Sequence, residues 1–173
     1  TSRIVLDANI YTMNNRAEAF WMKKGILGDT VPLELNAKEL VHRNNKNSEL
    51  TVYGYTPMMV SVQCVQKTMD HCNHACVQYV LKDRYQKEFH GVCSCEFCYN
   101  TIYNTLPTSL LKEKEKAEKL GVKAYRLSFT TETQQETEKI VRAFVDVYLR
   151  GQKPDGQMQT EETTKGHFQR GVE

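Results

Sequence analysis

The chain has 173 residues and a mass of 20.0 kDa, which is the size of one domain, or of a fragment of a larger one, and is enough to bury a hydrophobic core. Its 23 Lys and Arg residues nearly balance its 21 Asp and Glu residues, so the net charge of +2 excludes the strongly basic footprint of many nucleic-acid-binding domains. No apolar run approaches the roughly 20 residues of a membrane span, and the first residues lack the apolar stretch of a signal peptide. We therefore expect a cytoplasmic protein that does not enter a membrane.

Predicted strands and short helices alternate along residues 1–55. A β-branched run predicts a buried strand over residues 3–11, which begins as if cut from a longer protein. Asn15 stands three residues before Glu18, as an N-cap and its reciprocal acid do, and Gly25 ends the helix that they begin. Strands separated by helices indicate parallel βα units. Further elements are predicted as strands at residues 31–35 and 50–55, with a helix capped by Asn36 between them.

The same alternation is predicted again near the C-terminus. Pro107 begins a charged helix that Gly121 ends, and a capping box of Thr133 and Glu136 begins the most regular helix of the chain. Strands are predicted at residues 101–103 and 123–129, and a polar, mobile tail at residues 151–173.

The domain organisation follows from these elements. Residues 1–150 are predicted to form one α/β domain, interrupted at residues 56–99 by a cysteine-rich insertion with its own structure. Within the insertion, residues 77–81 and 85–89 read as the two strands of a β-hairpin.

All six cysteines fall between residues 64 and 98, and this clustering needs an explanation. A disulfide framework requires an oxidising compartment, which the absence of an export signal disfavours. Isolated structural thiols would be scattered along the chain. A thioredoxin-like redox pair is also disfavoured, because the Cys95-x-x-Cys98 motif follows a hairpin and not a first strand. A metal centre remains the favoured explanation.

Two kinds of metal centre fit the spacing. The Cys95/Cys98 pair and the Cys72/Cys76 pair could close a tetrahedral zinc site of the zinc-ribbon type. Three histidines could replace a thiolate in such a site: His71, His74 and His90. A [4Fe-4S] cluster is held by thiolates at longer, irregular spacings, for example Cys64, Cys72, Cys95 and Cys98. Spacing alone slightly favours zinc.

Several segments, in unchanged order, resemble peptidase family U32, the collagenase-like peptidases. The matching segments are residues 32–36, 52–64, 81–85, 98–104 and 166–171. The resemblance implies a TIM-type barrel, of which this chain would be the C-terminal part, so the fold is expected to be α/β with partial TIM-barrel-like βα units and a cysteine-rich β-hairpin insertion. It also implies a [4Fe-4S] cluster, with Cys64, Cys72, Cys95 and Cys98 as ligands and Cys76 and Cys93 as extra thiols.

The resemblance implies two activities. Some related proteins are peptidases, and others take part in hydroxylation of RNA or of a quinone precursor. The hydroxylase-like branch commonly has an acidic-Gly-Arg motif on its last strand, whereas residues 125–129 read Tyr-Arg-Leu-Ser-Phe. We therefore expect a peptidase acting on a peptide or protein, with hydroxylation of RNA or a small molecule as one alternative and a zinc-stabilised, non-catalytic interaction module as another.

The sequence contains no recognised hydrolytic motif. Neither a G-x-S-x-G elbow nor an H-E-x-x-H run occurs. If the strands are barrel staves, catalytic groups should follow their carboxyl ends. The candidates are Asp7, Glu34, Tyr53 and Arg126, with Asp7 and Glu34 able to bind a cation or act as a general base. A partial barrel also leaves open sheet edges, which predicts a homodimer.

Overall fold

The computed structural model describes residues 3–70, 72–154 and 162–170, which form two β-sheets and five α-helices. The helices are α1 (Asn15–Lys23), α2 (Ala37–Val41), α3 (Val65–Thr68), α4 (Lys114–Lys119) and α5 (Gln134–Phe144). The strands are β1 (Val5–Leu6), β2 (Gly28–Thr30), β3 (Ser48–Gly54), β4 (Pro57–Ser61), β5 (Gln78–Lys82), β6 (Glu88–Ser94), β7 (Tyr99–Tyr103), β8 (Thr108–Ser109) and β9 (Ala124–Ser128).

The first sheet contains four parallel strands in the order β1, β2, β3 and β9. Strand β9 pairs with β3 from Glu49 to Gly54. On the opposite edge of β3, β2 pairs near Ser48 and the antiparallel β8 pairs at Tyr53 and Gly54. This confirms the predicted α/β class and parallel pairing. The strands do not close into a barrel within the described parts of the chain.

The hydrophobic core lies between this sheet and its helices. Val52 of β3 is fully buried, and the ring of Tyr53 packs against Phe129 and Phe144 at centroid distances of 5.6 and 6.1 Å. Helix α5 and the turn that follows it contribute apolar side chains at helical spacing, namely Ile140, Ala143, Phe144, Val147 and Tyr148. Core residues from the other elements include Leu40, Leu50, Leu110, Leu111, Ala117 and Leu120.

Helix caps are where local sequence determines the fold most directly. The predicted capping box of Thr133 and Glu136 is present, and the predicted cap Asn36 is reciprocated by Glu39. Helix α1 is capped by Asn14 and not by Asn15 as predicted. The Asn15 side chain instead accepts a hydrogen bond from the backbone N–H of Asn44 at 2.6 Å, so it ties α1 to the loop after α2.

Three strand predictions are wrong in extent or in partner. The strand predicted over residues 3–11 is only two residues long and is half exposed, because β1 lies at the outer edge of the sheet. Residues 31–35 are not a strand: β2 ends at Thr30, and Pro32 lacks the N–H that would continue the ladder. Residues 101–103 belong to β7, which is antiparallel and lies in the second sheet.

The second sheet is antiparallel, in the order β4, β7, β6 and β5. The predicted hairpin is confirmed, because β5 and β6 pair from Gln78 with Val92 to Lys82 with Glu88. This sheet is inserted between β3 and β8, which pair with each other, so the ends of the insertion are held at the first sheet.

The C-terminal segment of the described chain packs against the first sheet, although we expected a mobile tail. Thr164 forms a β-bridge with Thr108, and Phe168 is buried in the core. Lys165 forms an ion pair with Glu113. Residues 155–161 and 171–173 of the predicted tail lie outside the described residues. None of the described helices is long and apolar enough to cross a membrane.

Candidate metal centre

One face of the second sheet positions the cysteines. Cys93 of β6 lies opposite Asn100 of β7, and Asn100 lies opposite Ser61 of β4, so these three residues form a row across the sheet. Side chains alternate between the faces of a strand, so Gly91 shares the face of Cys93. Cys93 is fully buried on this face.

Three sulfur atoms form a chain over this face. Cys64 precedes α3, and its Sγ lies 3.7 Å from Sγ of Cys93. On the other side, Sγ of Cys93 lies 3.6 Å from Sγ of Cys95. The packing of α3 against the sheet thus brings together thiols that are 29 residues apart in sequence.

The turn after β6 carries the Cys95/Cys98 pair. The N–H of Cys98 donates to the carbonyl of Cys95 at 3.3 Å, which closes a tight turn. Cys98 has a φ of 52°, and Asp70 and His74 near the other wall also have left-handed backbones, with φ values of 55° and 57°. Such a conformation costs a non-glycine residue about 1–2 kcal/mol. Strained positions of this kind concentrate at functional sites.

These elements enclose a cavity of about 540 Å³, here called the cysteine cavity. Its lining residues are Val62, Gln63, Cys64, Lys67, Thr68, Cys72, His74, Cys95 and Cys98. The four cysteines expected as ligands therefore line a single space. Cys93 contacts two of them from the sheet, and Cys76 is exposed and does not line the cavity. Of the histidines, His74 lines the cavity, whereas His90 packs against the Tyr55 ring and His71 lies outside the described residues.

The surroundings of the thiols differ in electrostatics. The backbone N–H of Lys67 hydrogen-bonds to the sulfur of Cys64 and lowers its pKa, with smaller contributions from Cys93, the Gln66 N–H and the Lys67 charge. Burial raises the pKa of Cys93 to about 12, and its two cysteine neighbours add to the effect. Without a bound cation, Cys64 is thus the more readily ionised thiol and Cys93 stays neutral.

The donor set fits a soft metal, but the geometry does not fit a single ion. In residues 3–70, 72–154 and 162–170, no group of three or more His, Cys, Asp or Glu side chains is arranged to hold one metal ion. The thiols instead border a wide cavity. An arrangement of soft sulfur donors around such a space suits a cofactor larger than one ion.

The structure brings together two of the four predicted catalytic residues. Nη1 of Arg126 lies 3.5 Å from Oδ1 of Asp7 and donates to Oγ1 of Thr30 at 3.0 Å. Tyr53 is buried in the core, and Glu34 lies half-buried in the turn that follows Pro32, so neither joins this ion pair. Asp7 and Arg126 form a surface pair near the carboxyl ends of β1 and β2.

Sequence reasoning missed a second polar centre, which is built on strands β2 and β3 of the first sheet. Asp29 of β2 and Arg43 form a fully buried ion pair. Arg43 also donates to the Thr12 carbonyl at 2.8 Å, and Ser48 donates to Asp29 at 2.6 Å, so the charges are fully engaged. This network is structural. No spacing motif marks it, since its members lie on four separate elements of the sequence.

Comparisons with protein-family models, with curated proteins and with solved structures find no match for this chain. The resemblance to family U32 therefore stays a prediction. It rests on the matching sequence segments and on the cysteines of the cavity.

Proposed function

We propose that this chain is the iron–sulfur part of a U32-type enzyme, with a [4Fe-4S] cluster held by Cys64, Cys72, Cys95 and Cys98. The observation that carries the proposal is that these four cysteines, out of six, line one cavity of about 540 Å³. A bound cluster of this kind supplies one-electron chemistry.

The width of the cavity favours a cluster over a single ion. With a Zn–S bond of about 2.3 Å, a tetrahedral zinc site holds its thiolates about 3.8 Å apart. The ligands of a four-iron cluster are spread further apart by the cluster between them, as the cavity permits. Lys67 lines the same cavity, and its charge would offset part of the negative charge of four thiolates.

Metal analysis of anaerobically purified protein tests this proposal. We expect about four iron atoms and about four acid-labile sulfides per chain, with an absorbance band at about 400 nm. Cys72→Ser should lose the iron, whereas the matched control Cys76→Ser, an exposed cysteine outside the cavity, should keep it. Equal loss in both variants, or protein without iron and sulfide, would overturn the cluster.

A structural zinc site is the second candidate. Two pairwise sulfur distances support it, although no three donor side chains of the described residues are arranged around one ion. The Sγ separations of 3.7 Å for Cys64–Cys93 and 3.6 Å for Cys93–Cys95 are close to the tetrahedral edge of about 3.8 Å. Cys93→Ala separates the two candidates: it should abolish zinc binding at this site but leave a cluster held by the four cavity cysteines.

We propose further that the parallel strands are part of a TIM-type barrel whose remaining staves come from another chain segment or a second copy. The support is that β1, β2, β3 and β9 are adjacent and parallel in chain order, as consecutive staves are. The open sheet edges then predict a homodimer. Light scattering that finds only monomer over a wide concentration range would contradict the second-copy arrangement.

The resemblance supports peptide hydrolysis as the reaction. Among the four candidate catalytic residues, Asp7 and Arg126 are the two that lie close together. Asp7 follows β1, and carboxyl strand ends carry the active groups of barrel enzymes. Release of peptides from gelatin or casein, lost in Asp7→Asn, would support a peptidase. If no peptides form while modified nucleosides disappear from cells lacking the gene, the iron–sulfur hydroxylation of RNA is supported instead.

A further inference from the structure

The buried thiol of Cys93 has no role in the proposed cluster, although it contacts two of the proposed ligands. Its sulfur lies 3.7 Å from that of Cys64 and 3.6 Å from that of Cys95, and Cys93 is fully buried. A disulfide bond measures about 2.05 Å, so each pair of sulfurs is about 1.6 Å from bonding distance. This row of three thiols in contact is therefore a candidate site of oxidation.

Two hydrogen bonds hold Cys64 and Cys93 next to each other. Strand β6 pairs with β7 so that Cys93 lies opposite Asn100. Nδ2 of Asn100 donates to the carbonyl of Gln63 at 2.9 Å, which attaches the residue before Cys64 to the sheet. The N–H of Cys93 donates to the carbonyl of Val77 at 2.9 Å, which holds the other side of the contact. The two sulfurs thus approach each other from backbone that is anchored on both sides.

An oxidant reaches this pair through Cys64. The Cys64 residue is 8% exposed and lines the cysteine cavity, whose volume is about 540 Å³. A water molecule takes up about 30 Å³, so the cavity easily admits a molecule as small as hydrogen peroxide. Cys93 needs no access of its own, because it only has to meet the sulfur of Cys64.

Chain geometry favours Cys64 over Cys95 as the partner of Cys93. Cys93 and Cys95 are two residues apart at the end of β6, and two strand steps of about 3.3 Å place their Cα atoms about 6.6 Å apart. This separation is near the upper limit of about 6.8 Å for a disulfide. Cys64 precedes the four-residue helix α3 on a separate segment, so rotation of its side chain and a small shift of that segment can close the gap.

We propose that Cys64 and Cys93 form a reversible disulfide in the metal-free chain when hydrogen peroxide enters the cysteine cavity. The sulfur of Cys64 bonds to one peroxide oxygen, the O–O bond breaks, and the thiol proton leaves with the second oxygen as water, which gives a sulfenic acid. The sulfur of Cys93 then displaces the hydroxyl group, which leaves as a second water with the Cys93 proton. Two thiols are oxidised and one peroxide is reduced. A dithiol reverses the bond by exchange.

The disulfide changes what the cysteine cavity can bind. Cys64 is one of the four proposed ligands, so the bond removes a thiolate from the cavity; this consequence rests on the proposed function, whereas the bond itself does not. Disulfides in reducing compartments are usually transient and redox-sensing. One reversible bond therefore does not require the oxidising compartment that a disulfide framework needs.

Peptide mapping of the full chain tests the proposal. The chain is reduced, stripped of metal with a chelator, treated with hydrogen peroxide and alkylated. Trypsin leaves Cys64 as the single cysteine of residues 47–67 and places Cys93 in residues 88–112 with two further cysteines. We expect these two peptides to be linked, and the free thiols to fall from six to about four. Dithiothreitol should restore all six.

Matched alanine variants assign the linkage. Cys93→Ala should lose it, whereas Cys95→Ala should keep it, and so should Cys76→Ala, which changes an exposed cysteine outside the cavity. The double variant Cys95→Ala with Cys98→Ala leaves Cys93 as the only thiol of residues 88–112. A linkage in that variant identifies Cys93 even if Cys93→Ala does not fold.

Three results would overturn the proposal. They are a parent chain without the linkage of residues 47–67 to residues 88–112, a Cys93→Ala variant that still forms it, and a double variant that does not. Iron and sulfide are measured on separate, anaerobic samples of the same preparations. Iron in a chain that forms no cross-link removes the disulfide and leaves the cluster. A cross-link in a chain that takes up no iron supports the disulfide and removes only the proposed function.

Discussion

The two sheets are stabilised in different ways. All the side chains of the described hydrophobic core lie outside residues 57–103, which form the second sheet and its loops. Within the second sheet and its loops, the only buried hydrophobic residues of the described chain are Cys64 and Cys93. Several large apolar side chains there are exposed instead, including Met58, Met59, Val60, Val62 and Met69. One region thus has a core and the other has a cysteine-bearing face.

This difference indicates how each region holds its shape. A small sheet that buries little apolar surface needs a staple, such as a metal, a disulfide or a partner. The sulfurs of the second sheet occupy the place where a core would otherwise form. If the proposed metal centre is bound here, its binding and the folding of this region are coupled, while the first sheet, with its own core, folds without the metal.

The largest expected loss of stability comes from a substitution in the first sheet. Arg43→Met leaves the carboxylate of Asp29 buried and unpaired, which should lower the free energy of unfolding by about 3–5 kcal/mol. Urea denaturation measures the change. The double variant Asp29→Leu with Arg43→Met removes both charges and should be much closer to the parent. A single variant that costs no more than the double variant would show that the ion pair is not the stabilising unit.

If the proposed metal centre is present, its removal should destabilise the second sheet and leave the first unchanged. A ligand present at 100 to 1,000 times its dissociation constant stabilises the region that binds it by about 3–4 kcal/mol. Hydrogen exchange of protein treated with a chelator should therefore accelerate in β5, β6 and β7 but not in β3 or β9. Uniform acceleration over both sheets would mean that they form one cooperative unit.

The sequence predicted the first sheet well where signals are local. The Thr133 and Asn36 caps each depend on residues within a few positions of one another. The sequence predicted poorly those strands whose extent and burial depend on the neighbouring strand. Residues 3–11 have the composition of a buried strand, but they meet the sheet only at its edge.

In the second sheet, the sequence predicted the hairpin, and the family resemblance implied the four cysteines that line the cavity. Spacing alone slightly favoured a zinc set that includes Cys76, which does not line it. The sequence could not show that Cys93 contacts Cys64 and Cys95, since that depends on the pairing of β6 with β7 and on the contact of the segment before α3 with the sheet.

A smaller change in stability distinguishes the backbone strain of Cys98 from its proposed role as a metal ligand. Cys98 has a left-handed backbone that glycine adopts freely, so Cys98→Gly should raise the stability of the metal-free chain by about 1 kcal/mol. The same variant should also lose the iron of the proposed cluster, because Cys98 is one of the proposed ligands. Thermal unfolding with and without metal measures both effects. Cys95→Gly, at a position without positive φ, should lose iron with no gain in stability; a gain there too would reject the role of strain.

The smallest effect concerns the C-terminal segment that docks on the first sheet. Burial opposes ionisation of Glu113, but hydrogen bonds from Lys116 and Lys165 outweigh it and lower the pKa of this carboxyl. A carboxyl whose pKa is lower in the folded state than in the unfolded one stabilises the fold above the unfolded pKa of about 4.3. It loses that contribution as the pH falls.

Lys165→Met should therefore lower the free energy of unfolding by about 0.5–1 kcal/mol at pH 7 and by less at about pH 3.5. Urea titrations at both pH values measure the difference, with Lys112→Met as the control because Lys112 is exposed on the same turn. An equal cost of Lys165→Met at both pH values would show that the lysine acts through the packing of its aliphatic stem. The ion pair between Lys165 and Glu113 would then not be what holds residues 162–170 in place.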